Sequence, residues 1–152
     1  KNGEVTHFAF QKEFKFAVGS EVFGLPGGFP LLNESVLDFI VRSIKKDLRI
    51  DMEKNDITLS EIVSLGRLAP DSGMTNNHPN LYAVILDQVE SAFDKLKATE
   101  RFENKWMVLW PVKEISEMVN KCDDAFFLSA VTRLTLSGIY TINLSENNRK
   151  NE

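Results

Sequence analysis

Side chains of the kinds that usually carry catalysis are sparse in this 152-residue sequence. His7 and His78 stand far apart, and neither belongs to a His-Glu-x-x-His helix, a thiolate pair or a nucleophile turn of Gly-x-Ser-x-Gly type. Hydrolytic zinc chemistry and serine chemistry are therefore disfavoured, and no metal site is expected. No Walker-type loop and no Gly-x-Gly-x-x-Gly follows a strand, so nucleotide binding by those routes is unsupported. What remains is a constellation. It comprises the basic segment Arg42-Ser43-x-Lys45, the run Leu65-Gly66-Arg67-Leu68-Ala69-Pro70, a polar loop over 69–79 containing Ser72, Gly73 and Asn77, and the apolar stretch Leu81 to Leu86. A loop of about eleven residues approaches the length at which ordered loops are usually functional rather than connective. No residue is assigned a catalytic role.

The elements that would position these groups follow from periodicity. Val36, Phe39, Ile40, Ile44 and Leu48 recur at helical spacing, which predicts a helix over about 34–48 with those residues buried and Arg42, Lys45, Lys46 and Arg49 on the polar side. Cations near a helix C-terminus also suit the macrodipole alone, which is the plainer account of the basic cluster. Thr58-Leu59-Ser60-Glu61 has the spacing of a capping box ahead of Leu59, Ile62 and Val63, and predicts a second helix over about 59–68.

Phe8, Phe10, Phe14 and Phe16 alternate as half-buried strand residues do, so residues 5–10 and 13–18 are expected to form a hairpin, followed by a Gly- and Pro-rich loop up to residue 30. Leu81 to Leu86 and Trp106 to Trp110 read as strands, the second ended by Pro111. Val89, Phe93 and Leu96 form one helical stripe, and Val112, Ile115, Met118 and Val119 another. Residues 125–130 and 134–142 read as two closing strands, and 145–152 as a polar tail. The fold class expected is α+β: one domain over 1–152, with a mixed or antiparallel sheet packed by several helices.

Composition supports a single packed core. Apolar residues are 43% and charged residues 26%, the ordinary globular balance, and a chain of this length buries roughly 70% of its unfolded surface. The net charge of −4 arises from interspersed signs, with no basic block, which makes nucleic acid an unfavourable partner. No apolar run approaches the ~20 residues of a membrane-spanning helix. Cys122 is the only cysteine, so no disulfide forms within the chain; a reducing, cytoplasmic setting is expected.

The order of basic helix, Ala69-Pro70, polar loop and strand resembles the nitroreductase-like flavin oxidoreductases. In that superfamily an Arg-Ser-x-Arg segment on an early helix holds the FMN phosphate, and an Ala-Pro-Ser-x-x-Asn-x-x-Pro loop follows at about the interval that separates Arg42 from Ala69. Leu25-Pro26, Ile57 to Glu61 and Gly73 to Tyr82 are similar to the branch that oxidises azoline rings in modified peptides. The resemblance implies that Arg42, Ser43 and Lys45 bind the phosphate of FMN, that Ser72, Gly73 and Asn77 lie near the isoalloxazine, and that hydride passes through the flavin. It further implies a homodimer or a partner subunit that completes the pocket. The competing expectation from the same residues is a non-enzymatic interaction domain, such as an inhibitor, immunity or scaffold protein, with no cofactor.

Overall fold

Alternation of Phe with polar residues draws the first strand, β1 (His7–Lys15), without a break. A computed structural model describes residues 5–70, 73–74, 76–87 and 105–138. The hairpin expected within residues 5–18 is displaced: its turn falls after Lys15, where Val18 and Gly19 both donate to the Lys15 carbonyl, and β1 pairs antiparallel with β2 (Ser20–Gly24). Gly19 has φ 71°, a conformation that costs a side-chain-bearing residue strain, and nothing in Gln11-Lys12 offers the equivalent.

On its other edge β1 pairs antiparallel with β5 (Lys105–Pro111), so the sheet order is β2-β1-β5. Strand β5 ends at the proline as expected. Phe8 and Phe10 face a core of Ile115, Met118, Cys122 and Phe127, while Ala9 faces a second core built on Ile40, Ile44, Leu48, Ile50 and Ile57. Both faces of the sheet are thus covered.

The second core belongs to α1 (Val36–Asp47), the helix expected at about 34–48. Ser35 caps it, its Oγ accepting from the Asp38 amide at 3.1 Å. Ile40 and Ile44 are buried and Phe39 half-buried, but Val36 is 49% exposed, contrary to expectation, because the first turn projects beyond the packed elements. Lys45, Lys46 and Arg49 stay exposed.

The helix expected over 59–68 is instead a strand, β3 (Thr58–Arg67), paired antiparallel with β4 (Asn80–Asp87) in a separate two-stranded sheet. Register shifts at Leu59/Glu61 and Ser64/Gly66 explain the misreading. Each inserts one extra residue, Ser60 and Leu65, and so resets the alternation of faces. Leu59 and Ile62, three apart, consequently pack on the same core as Tyr82, Val84 and Leu86 of β4. A helical spacing here records a bulged strand. Ser60 donates its hydroxyl to Asp87 across the pair.

After β5 the chain makes a 3₁₀ turn (Val112–Glu114) and a short helix, α2 (Ile115–Asn120), as the apolar stripe predicts. The two closing strands are corrected to one helix, α3 (Ala125–Leu136), whose N-cap Asp124 accepts from the Phe127 amide at 2.7 Å. Phe127, Ala130, Val131 and Leu134 give it a helical stripe, hidden in a sequence that is apolar on most sides. Arg133 of α3 donates from Nη1 to the carbonyls of Leu65 (2.9 Å) and Arg67 (2.8 Å), so it pins this helix to the second bulge of β3. Among the described residues the architecture is α+β with two antiparallel sheets, the expected fold class. The expected helix at Val89–Leu96, residues 139–142 of the expected last strand, the 145–152 tail and Ser72 lie outside the described residues.

Candidate functional site

Arg42 sits on α1 with its guanidinium turned back toward the preceding loop. Its Nε donates to Glu34 Oε1 at 2.6 Å and its Nη2 to Glu34 Oε2 at 2.7 Å, a two-pronged ion pair, and Nη2 also reaches the Phe29 carbonyl at 3.2 Å. Glu34 in turn accepts from the Leu31 amide at 2.8 Å. These hydrogen bonds from Arg42 hold the Glu34 carboxyl down at a pKa of about 2, and the same pairing raises that of Arg42. One turn on, Lys45 pairs with Asp51 at 2.9 Å, which lowers the pKa of Asp51 and raises that of Lys45. Ser43, between them, is buried.

This donor set does not fit a phosphate. A dianion placed on Arg42 and Lys45 would meet the Glu34 and Asp51 carboxylates already there, and the Ser43 hydroxyl is not at the surface. Of the loop residues, Gly73 lies in a turn, and Asn77 is exposed. The loop ends are drawn together by the Leu68 amide donating to the Pro79 carbonyl at 3.1 Å.

A different set of residues converges on the loop that joins β2 to α1. Gln11 donates from Nε2 to the Leu25 carbonyl at 3.2 Å, and two residues along the loop the Gly27 amide donates to Asp47 Oδ2 at 3.0 Å. The loop is therefore held from the sheet side by Gln11 and from the helix side by Asp47. Glu13, on the same face of β1 as Gln11, bridges to Lys15 at 2.5 Å. Among the described residues, Gln11, Glu13, Ser43 and Asp47 are the polar or charged side chains that are buried.

Gln11, Glu13 and Asp47 line a cleft of about 1440 Å³, walled also by Leu81, Tyr82 and Phe127; Asn77 borders it, whereas Arg42, Ser43 and Lys45 are not among its lining residues. The sequence offered little sign of this site. Gln11 and Glu13 occupy the polar positions of an alternating strand, which ordinarily face water, and only a sheet covered on both faces buries them. Among the described residues no group of three or more His, Cys, Asp or Glu could hold a metal ion.

Cys122 is buried, and desolvation raises its thiol pKa, a setting for a packing residue and not a nucleophile. Among the described residues no helix is long and apolar enough to cross a membrane. No family model matches the chain, and no curated protein matches it in sequence.

Proposed function

We propose that this chain is a non-enzymatic interaction domain that docks a protein partner through the loop before α1 and the first turn of that helix. The observation that carries the reading is the exposure of Phe29, Leu31, Leu32, Val36 and Leu37, with Leu32 at 93%, in one short stretch of chain. Apolar side chains crowded at a surface mark an interaction site more often than a stray exposure does. Glu34 lies inside this stretch, and its pair with Arg42 ties the stretch to the helix, which presents the apolar residues on a fixed support and lowers the ordering cost of binding. Internal neutralisation of Arg42 and Lys45, which the resemblance implies would bind phosphate, supports the same reading. The partner is a second copy or another subunit, and the lone buried Cys122 suits a cytoplasmic setting.

Two measurements test it. A photo-crosslinking residue at Leu37 should give a discrete protein adduct in cells, and Leu32→Ser in the same chain should abolish it while circular dichroism stays native. A fluorescence titration with FMN at ~100 μM, a concentration that would substantially occupy a site of about −6 kcal/mol, should show no saturable quenching. Saturable FMN binding lost on Arg42→Ala with Lys45→Ala would restore the flavin reading, with both ion pairs opening to admit the phosphate.

A further inference from the structure

Gln11 is 7% exposed, it lines the cleft, and its Oε1 has no hydrogen-bond partner among the described residues. A buried amide oxygen left unpaired costs free energy, so its retention calls for a donor. The buried carboxylates of the cleft are already met, Glu13 by Lys15 at 2.5 Å and Asp47 by the Gly27 amide at 3.0 Å, and Glu34, which also lines it, pairs with Arg42. What stays open at Gln11 is one uncharged acceptor, and an uncharged donor meets it without burying a charge. The surroundings are apolar. Ala9 leaves β1 on the same face as Gln11, and Leu109 stands opposite Ala9 on β5. Phe39 of α1 and Val84 of β4 pack against the same core as these two, and all four line the cleft while staying only half-buried. Ala9 puts no more than a methyl group on the sheet face, which leaves depth there for a flat body.

We propose that this part of the cleft binds a small, flat, uncharged molecule that carries one N–H or O–H donor. The donor bonds to Gln11 Oε1, which fixes the orientation, and the ring packs on Ala9, Leu109, Phe39 and Val84. Apolar walls around a single well-placed polar group are the usual composition of a small-molecule site. Phe29 and Val36 of the docking stretch also line the cleft, so the two sites share a rim. A small molecule needs no protein partner to bind, however, and the isolated chain tests this site without reference to docking.

The probe is indole, added to the full chain and followed by amide resonances. Saturable shifts of the Gln11 side-chain amide and the Ala9 backbone amide are expected, with half-saturation below ~10 mM. Benzofuran has the same shape with a ring oxygen in place of the N–H, and it should bind roughly threefold to tenfold more weakly, the effect of one neutral hydrogen bond. Gln11→Leu keeps a similar volume and removes the acceptor, so the folded variant should bind indole and benzofuran alike. The comparison of the two probes on the parent chain stands even where that variant fails to fold. The proposal is overturned if indole gives no saturable shift, if its shifts fall on Leu31 and Leu32 in place of Gln11 and Ala9, if benzofuran binds the parent as tightly, or if folded Gln11→Leu keeps the preference for indole. Any of those results would leave Gln11 Oε1 to a buried water.

Discussion

Arg42 and Glu34 are joined by two hydrogen bonds of 2.6 and 2.7 Å, and they lock the loop before α1 onto the helix two turns in. The Glu34 side chain is largely buried in this arrangement, while the Arg42 guanidinium also lies over the Phe39 ring at 5.4 Å. A surface pair of this kind normally contributes little to stability, but here it organises a stretch of exposed apolar residues.

The pair has a pH signature. Glu34 has a folded pKa of about 2 against an ordinary value of 4.5, so its contribution is complete above 4.5 and is lost as pH falls through 2. Glu34→Gln should lower the urea midpoint at neutral pH. The gap between the two proteins should narrow progressively once pH drops below about 4.5, as denaturation curves at several pH values will register.

Two phenylalanines six residues apart should behave oppositely. Phe10 is 1% exposed and meets Phe23 and Phe127 edge-on, with centroids at 5.4 and 5.0 Å. Phe10→Ala should cost about 3–5 kcal/mol as a core truncation. Phe16 is 82% exposed, and Phe16→Ala should change stability by no more than about 0.5 kcal/mol. Equal midpoints would place the core elsewhere.

Capping should be felt at Asp124 and not at Thr58. Asp124→Ala removes the acceptor for the Phe127 amide at the start of α3 and should cost about 1 kcal/mol. Thr58 opens an exposed strand end instead of a helix, so Thr58→Ala should stay within about 0.5 kcal/mol. Denaturant midpoints of the two variants, measured side by side, check the order.

The bulge at Gly66 should couple to Arg133. Gly66 has φ 85°, and a Cβ there would lie 3.3 Å from Arg133 Nη1. Gly66→Ala should cost roughly 1–2 kcal/mol from the left-handed backbone alone. In the background of Arg133→Ala the penalty should be smaller, since the crowding is gone, and a double-mutant cycle reads the difference.

Sequence by itself determined the elements whose burial is one-sided or whose ends are punctuated. Helix α1 announces itself through Ile40, Ile44 and Leu48 against Lys45, Lys46 and Arg49; β4 through a short apolar run; β5 through its closing Pro111. Those three, with the α2 stripe, suffice for an α+β class. The tertiary structure alone decided three things. It made residues 58–67 a strand, because two bulges let Leu59 and Ile62 share a face at a spacing that otherwise signals a helix. It made residues 125–136 a helix, because an element apolar on most sides hides its period until its neighbours are known. It also set the partners of the charged and polar groups. Arg42 and Lys45 read as free cations along the chain, yet each is met by a carboxylate, and Gln11 reads as a solvent-facing strand residue, yet it is buried with an acceptor unpaired. Local spacing sets which way a side chain leaves the backbone; only packing of distant segments sets what it then meets.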